Sequence, residues 1–371
     1  MSKQVSHPDI LIVGGGVIGA ACARALARRD VSVSVVEAGD RPGSATPAAA
    51  GMLAPFAEAQ AEDPLLALCV GARDLYGDLA PELQEETGID IQLRSDGIVQ
   101  LAFTEEEASR LKSAIAWQRQ IGFATEWLSP DEVRERVPGV GPDILGAALA
   151  PEDGGLVPNA LREACLRSAE LRGAQVVKGA LVEEIVVEGG RVRGVRTADG
   201  LHQAGAVVLA AGCWSGGIAG LPRALPVEPF RGQMVALAWP RGEPPAIVYG
   251  GGGYVLERDG EAIAGSTMEQ AGFATGTTEE GLRLVHRYMR RIFPSLAGKP
   301  VRRTWAGLRP VTPDRHPIVG PDPDVPNLWY ATGHGRNGIL LAGITGEILA
   351  QLYVGEQIEH DLTPMAVDRF N

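Results

Sequence analysis

Ile10-Leu11-Ile12-Val13-Gly14-Gly15-Gly16-Val17-Ile18-Gly19-Ala20-Ala21-Cys22 decides the fold. The first four residues form a continuous apolar run, as a strand buried on both faces should. Three glycines break it. From Val17 the apolar residues take helical spacing: Val17, Ala21 and Ala25 share one face, with Ile18 and Leu26 beside it. Arg28 and Arg29 are placed in the last turn, where positive charge suits the helix dipole. A second apolar strand, Val31 to Val36, ends at Glu37. The unit is β-α-β.

Its glycines have distinct physical tasks. Gly14 permits the tight turn from strand to helix, Gly16 lets backbone approach a pyrophosphate, and Gly19 lets helix pack close to strand. The helix N-terminus offers N–H groups and partial positive charge to phosphates. Glu37 stands where a carboxylate accepts hydrogen bonds from an adenosine ribose. This pattern reads as a dinucleotide site and does not by itself separate FAD from NAD. Two features favour FAD: the motif lies at the start of the chain, and the later strand Val207 to Ala210 runs into a tight exit at Ala211-Gly212.

Outward from this unit, Ala38 to Pro55 is a loop rich in small residues, long for a mere connection. Asp63-Pro64 reads as an N-cap and N1 proline. Thr104 to Glu107, Ser129 to Glu132 and Thr277 to Glu280 read as capping boxes. Asn159 to Arg172 is a helix stopped by Gly173, followed by strands at Gln175 to Lys178, Val182 to Glu188, Arg191 to Thr197 and Ala206 to Ala211. Tyr254 to Arg258 and Glu261 to Ser266 form a hairpin around Asp259-Gly260. Glu279 to Phe293 is helical, Val301 to Leu308 and Leu328 to Thr332 are extended, and Ile339 to Val354 is the last helix. The run Gly250 to Gly253 reads as unusually flexible.

Composition narrows the classes. The chain has 371 residues, 45% of them hydrophobic, which favours two domains. A net charge of −12 argues against nucleic acid as a partner, and Arg287, Arg290 and Arg291 read as a solvated helix face. Cys22, Cys69, Cys165 and Cys213 form no C-x-x-C pair, and the histidines no H-x-x-x-H, so no metal is expected. Met1 to Asp9 lacks the apolar stretch of a signal peptide, and no apolar run is long enough to span a membrane. A cytoplasmic protein is expected.

Gly14 to Gly19 with Glu37, Ala48-Ala49-Ala50-Gly51-Met52-Leu53, Trp305-Ala306-Gly307-Leu308-Arg309-Pro310 and Gly333-His334-Gly335-Arg336-Asn337-Gly338 together carry a resemblance. From Asp9 to about Gly355 the chain resembles the D-amino acid oxidase family of flavoproteins, and within it the glycine oxidases of thiamine synthesis. The resemblance implies an α/β fold. A Rossmann-like FAD-binding domain of the glutathione-reductase type is built from residues 1–55, 156–221 and 309–371. A substrate domain, on a mostly antiparallel sheet with helices, is built from 56–155 and 222–308.

The resemblance also implies site residues. FAD, held without a covalent bond, would contact Gly14, Gly15, Gly16, Val17, Ile18, Gly19, Glu37 and Ala38. In the following loop it would contact Ser44, Ala45, Ala50, Gly51 and Met52. Further contacts fall to Val182, Ala211, Gly212, Trp214 and Arg309, and to His334, Gly335, Arg336, Asn337, Gly338, Ile339 and Leu340. Arg309 would grip the substrate carboxylate with its two-pronged fork, Tyr254 would donate a second bond, Arg336 would add charge, and Met52 would line the cavity. No side chain is expected to act as acid or base, His334 included. The implied reaction is oxidative deamination of glycine, sarcosine or small D-amino acids with dioxygen as acceptor, in a homotetramer. The alternatives are an oxidase of sarcosine, D-alanine or D-proline, a dehydrogenase passing electrons to a quinone, and a flavin-binding module without catalysis of its own.

Overall fold

A computed structural model describes residues 7–39, 41–59, 63–240 and 246–370. Most of the stretch read for a signal peptide, residues 1–6, lies outside them, as does Asp40 in the glycine-alanine loop.

The opening unit folds as read. The strand Ile10–Val13 and the helix Val17–Ala27 are followed by the strand Val33–Glu37. These strands lie inside a six-stranded sheet, ordered Ile318–Pro321, Leu328–Thr332, Ala206–Leu209, Ile10–Val13, Val33–Glu37, Gln175–Lys178. All neighbours run parallel except the edge strand Ile318–Pro321. Ile10 and Ile12 pack against a helical layer formed by Val17–Ala27, Leu66–Thr87, Pro158–Leu171 and Gly338–Val354. Leu11 and Val13 point the other way, into a core shared with the three-stranded sheet of Glu184–Glu188, Arg191–Thr197 and Gly200–Gln203. Cover on both faces explains why these strands read as unbroken apolar runs.

The second sheet has eight strands, ordered Val301–Val311, Glu228–Ala238, Glu261–Gly265, Gly253–Arg258, Ile247–Gly250, Ile98–Ala102, Gly146–Ala150, Glu126–Leu128. One pairing, Ile247–Gly250 with Ile98–Ala102, is parallel and the rest are antiparallel. The helix Glu279–Ile292 covers one face through Val285, Met289 and Ile292.

Several local readings need correction. Arg28 caps the first helix and Arg29 lies beyond it; their charges meet Glu82, Glu86 and Glu347 of the flanking helices and Glu356 just past the end of the last one. Asp63 caps no helix: its side chain accepts from the Leu65 amide in a turn, and the helix starts at Leu66. The cap of Glu279–Ile292 is Thr278, one residue after Thr277, and its N3 residue is Gly281, so no reciprocal glutamate closes a box. The other two capping boxes are present. Gly250 to Gly253 is a tight hairpin, with Gly251 and Gly252 at φ +58° and +98°, the left-handed pair such a turn demands. The Tyr288 ring packs where side chains on Gly252 and Gly253 would stand.

Candidate active site

One cavity of about 580 Å³ runs between the two large sheets. Its nucleotide end is built by the first β-α-β unit. Gly14 has φ +102°, and a Cβ there would meet the Ala210 carbonyl at 2.6 Å. A Cβ on Gly19 would strike the Gly14 carbonyl at 1.9 Å, so this glycine seats helix on strand and does not line the cavity. Gly16 differs: a Cβ there would meet only Thr46 Oγ1, at 3.5 Å. Its backbone is open to the cavity. The Glu37 carboxylate accepts from the Gly15 and Gly39 amides, which fixes it at the rim.

The loop after Glu37 is pinned from three sides. Thr46 Oγ1 accepts from the Val17 amide at 3.1 Å, at the start of the helix. The Trp305 indole N–H donates to the Ala48 carbonyl (3.2 Å), and the Leu308 amide to the Gly43 carbonyl (2.8 Å). Gly307 faces Ala48, whose methyl occupies the space a Cβ would need. Arg258 donates to the carbonyls of Ala50 and Leu156. The motif Trp305 to Pro310 therefore has two tasks: it staples the loop, and it presents Arg309.

Arg309 lines the cavity at its far end. Its Nη2 donates to Ser266 Oγ at 2.6 Å, and its Nη1 to the Thr267 carbonyl at 3.1 Å and to Met268 Sδ at 3.6 Å. Among the described residues it pairs with no carboxylate. Burial pulls its pKa down, with neighbouring Arg336 adding to the effect, yet a guanidinium stays charged at neutral pH. A Cβ on Gly232 would stand 2.3 Å from Arg309 Nη1, so only glycine there leaves room for the head group. Tyr254 is buried beside it and donates to Met234 Sδ at 3.2 Å. Burial raises its pKa, leaving a neutral phenol.

Arg336 lines the same cavity, but Glu58 holds it at 2.9 Å, so its charge is already matched. Glu58 also accepts from the Tyr249 hydroxyl at 3.1 Å. Its segment is fixed by buried Asp153, which accepts from the Phe56 and Ala57 amides. Nothing in the sequence singled out Glu58, because its partners come from remote segments.

The cavity brings together Gly14 to Ile18, Glu37, Ala38, Ser44, Ala45, Ala50 to Met52, Val182, Ala211, Gly212, Trp214, Tyr254, Arg309 and His334 to Ile339. Leu340 is left out; its side chain packs in the helical core. Thr46, Glu58, Arg41, Arg162, Gly232 and Met234 were missed and line it. Arg41 was findable as the one cation inside the small-residue loop. It lies over the Trp214 ring, 4.3 Å from its centroid.

The residues fit a dinucleotide. Two helices open on the cavity at Gly16 and Asn337, and neither is capped by its own side chain. Their free N–H ends suit anionic groups. His334 is buried, donates to or accepts from Thr345 Oγ1 at 3.0 Å through Nε2, and leaves Nδ1 unpaired. Burial pushes its pKa down to about 3. It is neutral in the folded protein, whereas an unfolded chain binds a proton near the ordinary value of 6.5. His334 therefore contributes stability that is full above about pH 6.5 and lost as pH falls towards 3. His334→Asn is expected to flatten the acid side of the stability curve over that window, measured by urea unfolding, while keeping most turnover.

This fold and cavity define a dinucleotide-binding protein of the flavoprotein type. The chain belongs to the family of FAD-dependent oxidoreductases (DAO), which it matches over residues 9–352. It is 35% identical over 367 residues to a glycine oxidase of Geobacillus kaustophilus, covering 97% of each chain. The crystal structure of glycine oxidase from that organism superposes with a TM-score of 0.92 at 33% identity, covering 98% of this chain and 99% of the other. The bifunctional protein ThiO/ThiG of Trichormus variabilis is 35% identical over 98% of this chain. The chain spans about half (55%) of the length of that relative.

Proposed function

We propose that the chain oxidises glycine, with sarcosine and small D-amino acids as further substrates, and supplies the imine for the thiazole of thiamine. The observation that carries this reading is the Arg309 guanidinium, which faces the cavity with no carboxylate partner among the described residues, beside a neutral tyrosine hydroxyl. Names of relatives support the amino acid class and the thiamine setting.

In this reading the Arg309 fork takes the substrate carboxylate and Tyr254 turns its hydroxyl from Met234 to the same group. Two such bonds fix the orientation of Cα, and orientation is the main work of the protein. FAD, which Gly14 to Ile18, Glu37 and the segment His334 to Ile339 would hold, would supply the acceptor for the hydride leaving Cα, with dioxygen as the final oxidant and hydrogen peroxide as its product. The amine proton leaves to solvent, since His334 is too weak a base to take it. The Glu58–Arg336 pair lines one side, with Tyr249 holding Glu58 from behind. The imine product hydrolyses to glyoxylate and ammonia or passes on directly.

The proposed domain division, FAD on residues 1–55, 156–221 and 309–371 and substrate on 56–155 and 222–308, follows the strands of the two large sheets, but the helix Leu66–Thr87 of the substrate part packs under the FAD sheet and the strand Val301–Val311 runs unbroken across one border. Four buried free cysteines suit a reducing, cytoplasmic setting. Among the described residues no helix is long and apolar enough to cross a membrane. A homotetramer rests on the resemblance alone, and light scattering on the eluted protein tests it.

The deciding experiment is anaerobic bleaching of the flavin by a panel of glycine, sarcosine, D-alanine and D-proline. Bleaching by glycine without peroxide on readmission of air would favour a quinone-linked dehydrogenase; a spectrum indifferent to every member would leave a flavin-binding module. FAD is held without a covalent bond in this proposal. The described cysteine nearest the cavity in sequence, Cys213, is buried with its thiol pKa raised to about 12 by desolvation, a poor nucleophile. Acid-denatured protein should release all its yellow colour to the supernatant, and colour in the pellet would refute this.

A further inference from the structure

Both groups assigned to the substrate carboxylate end on methionine sulfur. Tyr254 donates to Met234 Sδ, and Arg309 Nη1 to Met268 Sδ. The two methionines differ in access to solvent. Met234 is 3% exposed and Met268 is 44% exposed. Met289 and Met365 are buried, and Met52 is half-buried. Among the described residues, Met268 is thus the one exposed methionine, and its sulfur lies against the guanidinium.

We propose that Met268 is an oxidation site through which hydrogen peroxide weakens carboxylate binding at Arg309. The proposal rests on the oxidase reading above, in which peroxide is made in the adjoining cavity. The chemistry balances without a further reactant. The thioether sulfur attacks one peroxide oxygen and the O–O bond breaks. Sulfur gives up two electrons and keeps that oxygen, and the second oxygen leaves as water with both protons. A thioether is a weak acceptor and leaves the Arg309 N–H available to substrate. A sulfoxide oxygen is polar and sits on the very atom that already accepts from Nη1. It competes with the carboxylate for that donor. Ser266 and Thr267 hold the guanidinium as before, so the head group stays in place while its free valence is taken.

Such competition falls on affinity and spares the chemical step. Holoenzyme is treated with hydrogen peroxide, quenched with catalase, and divided between peptide mass mapping and kinetics. Met268 is expected to gain one oxygen before Met52 and before the buried methionines. The KM for glycine should rise about tenfold, the scale of one charge-assisted hydrogen bond, with kcat and flavin absorbance retained. Methionine sulfoxide reductase should reverse the rise. In Met268→Leu, peroxide should leave KM where it was. In Met268→Gln, whose amide oxygen imitates the sulfoxide, KM should be raised without peroxide. Oxidation of Met52 ahead of Met268, or an equal rise of KM in Met268→Leu, would overturn the proposal. An untreated holoenzyme that oxidises none of the amino acid panel would defeat the functional reading separately, while the order of methionine oxidation still decides the site.

Discussion

Arg309→Leu is expected to lower kcat/KM for glycine by about 10²-fold or more while the purified protein keeps its FAD. The magnitude follows from what the fork does. Hydrogen bonds to a charged partner contribute about 1.5–3 kcal/mol each, and a bidentate pair makes two of them in partly desolvated surroundings. Among the described residues, leucine also removes the only positive charge at that end of the cavity not matched by a carboxylate, since Arg336 is held by Glu58. The loss should appear chiefly in KM. Arg309→Lys keeps the charge and loses the fork, so it should fall between the two. Gly232→Ala approaches the same site by geometry. Its methyl would stand 2.3 Å from Nη1 and must push the guanidinium away from Ser266 and Thr267. Steady-state kinetics on the three variants, with FAD content from absorbance, checks the series. Unchanged kcat/KM in Arg309→Leu would remove the anchor from the proposed mechanism.

The parts of this molecule that were legible in the sequence are those whose cause is local. Ile10 to Glu37 announced itself because strand burial, glycine conformations and helix periodicity all act within a few residues. The boxes at Thr104 and Ser129 were legible for the same reason. Where adjacent residues could play one part, as with Thr277 and Thr278, sequence did not choose correctly; Thr278 also donates its amide to Gln233 Oε1 of a distant strand, and that bond selects it. The substrate end was not legible from periodicity at all. Arg309 and Tyr254 entered through resemblance, and the structure brings them together across four strands paired in the order Val301–Val311, Glu228–Ala238, Glu261–Gly265, Gly253–Arg258. Glu58 was missed because its partners, Tyr249 and Arg336, lie 191 and 278 residues later. Gly232 was missed because its task is to be absent from a space that another strand fills.

Gly16→Val and Gly14→Val should both yield colourless protein, for different physical reasons. At Gly14 the backbone is left-handed, and a Cβ would press on the Ala210 carbonyl at 2.6 Å. Valine there strains the turn and separates two paired strands, so the apoprotein itself should unfold several degrees below the parent apoprotein. At Gly16 the backbone is extended (φ −67°, ψ −180°), and a Cβ meets nothing closer than Thr46 Oγ1 at 3.5 Å. An added Cβ fits the protein there, and the space into which it leads is the one a pyrophosphate needs beside the helix N-terminus. Gly16→Val apoprotein should therefore melt with the parent apoprotein and still fail to take up FAD. Titration with FAD, followed by tryptophan fluorescence quenching, should show affinity lowered by about 10²-fold or more, the scale of losing two backbone hydrogen bonds to a charged phosphate. Thermal unfolding of the two apoproteins separates the cases. A Gly16→Val protein that purifies yellow, with a normal melting temperature, would mean that the diphosphate does not lie over this turn, and the assignment of the cavity's nucleotide end would fail with it.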